Sequence, residues 1–288
     1  MQLFVDRLTN VDFSYLQAQR GLVGETWLAG IVLEGAVDDQ GMICDFGIVK
    51  KMVCQWLDDH LDHRLLVPKD SPNLQITEED PEQLGLRWEF QECADQPIRT
   101  VSCHSPKQAV ALVGATTIDP QSVADWCVAA LAQSLPDSID RVHLSFKPES
   151  IQYHFYHYSH GLKKHAGNCQ RIAHGHRSTV EIYRNGSRDP LLEQQWCQHW
   201  QDIYIGTRED LQKSRQRDGE DYYVFSYTSA QGDFTLELPA QRCYLIDSDT
   251  TVELIAQHIA DSLKQAHPQQ QFTVKAFEGI GKGAIVQA

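Results

Sequence analysis

The densest chemistry in the chain is the stretch YHFYHYSHGLKKHAGNCQRIAHGHRSTVEIY, residues 153–183. Six of the thirteen histidines fall between residues 154 and 176. His174-Gly175-His176 sets two imidazoles at i and i+2, so on a strand they leave the same face. Gly175 between them adds no side chain to the opposite face. The preceding run also alternates, placing His154, Tyr156, Tyr158 and His160 on one face. A hairpin pairing the two strands brings His160 beside the HxH pair. Three neutral imidazoles around an open fourth position form the geometry of catalytic zinc. A lone HxH is more often a polar strand end than a metal site, and it is the crowding of histidines here that favours the metal. His157 faces the other way and reads as structural; His165, in a loop, is a fallback ligand.

The elements that must position these residues occur twice. Residues 24–35, GETWLAGIVLEG, align with 175–186, GHRSTVEIYRNG, at an offset of 151. Each is strand-like and runs into a polar turn. The helical series Val123, Trp126, Cys127, Ala130, Leu131 aligns with Val252, Ile255, Ala256, Ile259, Ala260 at an offset of 129. Ser122 and Thr251 stand just before the two series as starts. One turn further the match fails, with Ser134 opposite Leu263. Each copy reads β-hairpin, helix, extra hairpin, helix, final strand, with the boundary near residue 150. The first copy is therefore 1–150 and the second 151–288. Without regular βαβ alternation the pattern predicts an α+β fold with antiparallel sheet. Val23-Gly24-Glu25 stands where copy two has His174-Gly175-His176, so copy one cannot make the same site.

Bulk composition narrows the function. At 288 residues the chain is long enough for two cores. Hydrophobic content is 42%, and no apolar run approaches the roughly 18 residues of a membrane span. The opening MQLFVDRLTN lacks the apolar core of a signal peptide. A formal charge of -14 argues against a nucleic-acid partner. The eight cysteines are spread singly with no CxxC pair, which fits reduced thiols and a cytoplasmic location. Cys54 and Cys127 read as core residues, whereas Cys169, in the polar loop GNCQR, does not.

In combination these residues resemble the 6-pyruvoyltetrahydropterin and 6-carboxytetrahydropterin synthase family of the tunnelling fold, or T-fold. Tyr156 to His160 matches its aromatic-x-x-x-His strand, Cys169 its cysteine, and His174-Gly175-His176 its HGH. Asp45-Phe46 and Leu61-Asp62-His63 match in copy one; Thr251-Val252-Glu253 and Glu278 match in copy two. The resemblance implies two tandem T-fold units, each an antiparallel sheet with helices on one face and an extra hairpin. It implies Zn2+ on His160, His174 and His176, Cys169 as general base, and an Asp62–His63 pair that relays protons. Glu278 would anchor the pterin edge, and Thr251 would contact substrate. Lys163, Lys164, Arg171, Arg177 and Lys282 lie near these motifs as candidates for a triphosphate.

Neither half holds a full set. WCQHWQDIYIGTREDL in copy two lacks the LDH, and copy one lacks the zinc ligands; its final strand ends FKPES, where a counterpart of Glu278 is doubtful. The expectation is a site shared between units, in one chain or across chains of a homo-oligomer. The implied activity is a zinc-dependent lyase that converts 7,8-dihydroneopterin triphosphate to 6-carboxy-5,6,7,8-tetrahydropterin with loss of acetaldehyde and triphosphate, a step toward queuosine. The alternatives are 6-pyruvoyltetrahydropterin synthase and a non-catalytic zinc or pterin-binding protein.

Overall fold

Residues Gln2–Gln17 and Gly21–Gly35 form a long antiparallel hairpin, closed on one side by Ile139–Pro148. The computed structural model describes residues 1–132 and 134–288. Two short strands, Leu65–Pro68 and Val110–Val113, extend this sheet in parallel beyond Gln2–Gln17. Helices α1 (Phe46–His60) and α2 (Pro120–Leu131) bury Val49, Val53, Leu57 and Val123, Cys127, Leu131 in the same core as strand residues Phe13, Trp27 and Ile31. The helices start where the backbone is capped: the Asp45 carboxylate accepts from Ile48 N, and Asp119 with Ser122 closes a capping box.

The second unit repeats this plan. Tyr156–His160 pairs antiparallel with His174–Ser178, which continues past Thr179 as Val180–Arg184. Phe272–Phe277 and Gly283–Gln287 complete that side, and Ile203–Thr207 and Cys243–Ile246 add in parallel on the other. Helices α3 (Pro190–His199) and α4 (Val252–Ala266) cover one face, α4 burying Ile255, Ala256, Ile259, Ala260 and Leu263.

The two α2-type helices align differently from the sequence expectation. Their buried faces, Val123, Ala124, Cys127, Leu131 and Ile255, Ala256, Ile259, Leu263, match at an offset of 132 rather than 129. The caps are Asp119 and Thr251, which also lie 132 apart. A helical stripe shifted by three residues overlaps itself well enough to mislead for one or two turns. Leu263 is then the partner of Leu131, and the mismatch with Ser134 disappears.

Each extra hairpin is longer than expected, a three-stranded meander: Leu74–Glu79, Gln83–Phe90, Arg99–Pro106 in copy one and Leu211–Arg217, Glu220–Ser229, Gly232–Pro239 in copy two. Their last strands pair with each other, Leu236 opposite Cys103, to make one six-stranded sheet whose order mirrors about that pair. Trp88, Phe90, Phe225 and Phe234 lie beneath it in a core common to both copies.

The copies also meet at matching positions of the repeat. A Cβ at Gly24 would lie 1.8 Å from Tyr158 O, and one at Gly175 would lie 2.3 Å from the same oxygen and 2.7 Å from Gly24 Cα. Only glycine permits that approach. Ser14 and Ser159, the strand partners of these glycines, share a buried 2.7 Å hydrogen bond. The main sheets are thus locked back to back at the level of the histidine strand.

Candidate metal centre

Strand register builds the cradle. His174 stands directly opposite His160, and His176 lies two residues along on the same face. Ring centroids are 4.3 Å apart for His160–His174, 5.3 Å for His160–His176 and 5.8 Å for His174–His176. One nitrogen from each ring lies within 4.8 Å of the others, and all three residues are buried. The other faces of two rings are held. His160 Nδ1 donates to the carbonyl of Thr250 at 3.0 Å, and His174 Nδ1 donates to the carbonyl of Arg171 at 2.9 Å. Those bonds fix the proton on Nδ1 and leave Nε2 with its lone pair.

The Nε2 atoms of His160, His174 and His176 are buried and have no hydrogen-bond partner. Three orphaned ring nitrogens converging in the interior cost several kcal/mol of order unless a cation takes them up. Burial, reinforced by neighbouring imidazoles, holds His160 and His174 well below the ordinary histidine range, so both are neutral and ready as ligands. The residues present therefore fit a tetrahedral divalent ion such as zinc.

Copy one supplies the Asp62–His63 pair beside this cradle. At the end of α1 the chain turns through His63, whose φ of 54° is left-handed, before entering Leu65–Pro68. That turn is pinned by His63 N donating to Asp12 O at 2.6 Å. It brings the His63 ring to 5.0 Å from His174 and 6.4 Å from His176. His63 Nδ1 contacts the Asp62 carboxylate, and Cys169 joins His63 and His174 in a second close cluster. Burial opposes a charge on His63, but Asp62 and Cys169 push it up to about 10. Cys169 sits half-buried in a single turn, Asn168–Gln170, as its polar loop suggested. Glu278 Oε1 is 3.8 Å from His176 Nε2, on the remaining side of the cradle.

Other sequence candidates are placed less centrally. The Thr251 hydroxyl caps α4 at Leu254 N, and it is Thr250 that touches the cradle. Lys163 pairs with Glu209 and Asp210, and Lys164 with Asp249. Arg177 stacks on Phe155 and donates to Glu149 O. Lys282 bridges Asp12 and Glu278. Arg171 has no carboxylate partner among the described residues; burial, with Arg64 nearby, lowers it to about 10. His165 is exposed and His154 lies outside the strand, whereas His157 is buried with Nδ1 on Gly24 O. Sequence reasoning missed Thr250, which has no signal that separates it from Thr251. It also missed Asp12, whose signal was an isolated acid within the apolar strand VDFSYL.

A family model described as 6-pyruvoyl tetrahydropterin synthase matches residues 13–154 and again residues 150–287. The chain belongs to the 6-pyruvoyl tetrahydropterin synthase family. Among solved structures, that synthase from Plasmodium vivax is similar at 19% identity, over 53% of this chain and 93% of that one, with a TM-score of 0.39. The Plasmodium falciparum protein is similar at 16% identity, over 52% and 98% of the two chains, with a TM-score of 0.33. No curated protein matches the chain. No helix is long and apolar enough to cross a membrane among the described residues.

With two synthase-family units in one chain, register identifies what each lost. Ser14 opposite Gly24 corresponds to Ser159 opposite Gly175. Tyr15, Val23 and Glu25 therefore occupy the places of His160, His174 and His176. Asp202, with φ 56°, takes the place of His63, since Leu65 and Tyr204 follow them at matching register. The copy-one cradle is closed: Arg20 grips Asp202 through two hydrogen bonds of 2.8 and 2.5 Å. Glu25 lies 3.8 Å from His157, and burial pushes its carboxyl up to about 7. By the same register Pro148, opposite Trp27, replaces Glu278. Copy one has no carboxylate there.

Proposed function

We propose that the chain is a zinc-dependent pterin synthase acting on 7,8-dihydroneopterin triphosphate, with one centre per chain built from both copies. The division is at residue 150, copy two (151–288) giving the metal ligands and copy one (1–150) the acid–base pair. One observation carries this reading: three buried, unpartnered imidazole nitrogens of copy two meet the Asp62–His63 pair of copy one beside Cys169.

His160, His174 and His176 would hold the ion, which as a Lewis acid polarises the substrate's side-chain oxygens and acidifies the neighbouring C–H. Cys169 then takes a proton from the side chain. His63, kept protonated by Asp62, returns one, and its contact with Cys169 gives the two groups a common path. Glu278, partly exposed beside the cradle, accepts two hydrogen bonds from the guanidine-like edge of the pterin. Lys282 and Arg171 offset the triphosphate charge. Thr251 is assigned to substrate contact on the Thr251-Val252-Glu253 match.

For the product we favour 6-carboxy-5,6,7,8-tetrahydropterin with acetaldehyde and triphosphate, in a cytoplasmic route to queuosine. The description of the family model favours the second reading, triphosphate elimination to the 6-pyruvoyl product. The long edge strand Ile139–Pro148, with the stretch of Gln2–Gln17 that precedes its short pairing to Leu65 and Leu66, favours a homo-oligomer that covers them. Incubating purified protein with 7,8-dihydroneopterin triphosphate and assaying acetaldehyde, triphosphate and pterin separates the two products. Wild type that binds zinc yet releases none of them would leave the non-catalytic binding protein standing. His174→Ala is expected to abolish stoichiometric zinc, and full zinc in that variant would refute the ligand set.

A further inference from the structure

Asp12 lies on the first strand of copy one, yet it contacts His176 of copy two as well as the Asp62–His63 pair. Its residue is 4% exposed. Oδ1 is 3.2 Å from His176 Nδ1 and accepts from the Thr26 hydroxyl at 2.5 Å. Oδ2 accepts from Lys282 at 3.1 Å. Its backbone N–H donates to Asp62 Oδ1 at 2.7 Å, and its carbonyl accepts from His63 N at 2.6 Å. Gly279, next to Glu278, lies so close that a Cβ there would be 2.6 Å from Asp12 Oδ1.

The three candidate ligands differ in how their far nitrogens are held. His160 and His174 each use a backbone carbonyl from copy two. For His176, the group facing Nδ1 is the Asp12 carboxylate of copy one, in ion-pair contact at 3.2 Å without the alignment of a hydrogen bond. A carboxylate behind a metal-binding imidazole fixes the Nδ1–H tautomer, aims Nε2 and raises the basicity of the ring. The place of Asp12 in copy two is taken by His157, so the device exists on one side of the pseudosymmetric pair.

We propose that Asp12 is a positioning residue for the metal centre, a cross-repeat carboxylate that orients His176 while its backbone seats the Asp62–His63 pair. This rests on the zinc reading above. Backbone contacts survive side-chain replacement, so variants at this position separate the two roles.

The test measures zinc affinity of the full chain by chelator competition, together with the 15N signals of His176 in zinc-free protein. Asp12→Ala is expected to weaken zinc by about 10–100-fold, and Asp12→Asn, which keeps an acceptor but loses the charge, by less. His176 should pass from one tautomer to a mixture in Asp12→Ala, with His160 and His174 unchanged. An Asp12→Ala protein that melts earlier but keeps zinc affinity and the His176 tautomer would overturn the proposal. If Asp12→Ala does not fold, Asp12→Asn decides: wild-type affinity in that variant overturns it. Wild type without zinc would sink the metal reading and this inference together, whereas wild type and Asp12→Ala binding equally would sink the inference alone.

Discussion

Glu25 occupies in copy one the position that His176 holds in copy two, and replacing it tests whether the abandoned cradle still strains the fold. Its side chain is 10% exposed, and its nearest partners are Thr26 N, which donates to it at 3.0 Å, and His157. Burial is the main cause that lifts its carboxyl from the ordinary 4.5 to about 7; burial first, then Arg20, brings His157 down to about 4, so the imidazole offers no charge in return at neutral pH. The folded chain therefore holds a proton that the unfolded chain releases. Glu25's own contribution to stability falls as pH rises from 4.5 through about 7, then levels off. At about 1.4 kcal/mol for each tenfold change in acidity, the loss approaches ~3 kcal/mol by pH 8.5. Glu25→Gln removes it. The variant should match wild type within ~1 kcal/mol at pH 4.5 and exceed it by ~2–3 kcal/mol at pH 8.5. Urea unfolding of both proteins at the two pH values, with chelator present so that metal binding does not contribute, measures the difference. A gap that is the same at both pH values, or a Gln variant that is weaker at pH 8.5, would refute the reasoning.

His63→Ala should keep stoichiometric zinc and lose turnover by at least ~100-fold, since the acid–base group goes while the ligands stay; metal analysis beside the product assay checks this, and full turnover would remove His63 from the mechanism. Gly24→Ala should destabilise the chain by more than ~2 kcal/mol, because its methyl group would collide with backbone rather than with a yielding side chain. Gly114→Ala, whose nearest foreign atom is 3.9 Å away, is the control in the same thermal melts, and equal melting of the two variants would contradict the back-to-back packing.

Much of this arrangement was legible in the residue order because its periodicities are local. The i, i+2 spacing of His174 and His176 and the alternation through Tyr156, Tyr158 and His160 follow from strand geometry alone. The repeat was visible for the same reason, although the helix alignment slipped by three residues, a shift to which a 3.6-residue period is nearly blind. What the order of residues does not carry is who stands behind whom. Asp12 reaches His176 from 164 positions away, and Thr250 reaches His160 from 90. The first depends on two sheets packing at Gly24 and Gly175, the second on the chain returning before α4, and no local pattern encodes either. The meanders were read one strand short because Leu74–Glu79 and Leu211–Arg217 are mostly exposed edge strands, without the apolar alternation that marks a half-buried one.

Fusing two copies explains why the paired positions diverged as they did. A homo-oligomer of single units uses one sequence on both sides of every contact, so each unit must carry ligands and acid–base pair alike. In this chain the two sides are encoded separately. At each matched pair, one member is a candidate for the proposed chemistry and the other is not: His176 against Glu25, His160 against Tyr15, His63 against Asp202, Glu278 against Pro148. Asp12 against His157 goes further, since the two face opposite cradles and only Asp12 meets a candidate ligand through a carboxylate. Arg20 on Asp202 now closes the side that lost its imidazoles, with charge pairing where a cation would otherwise be needed. The proposed centre draws on both copies for its parts, so neither half alone should bind the metal or turn over.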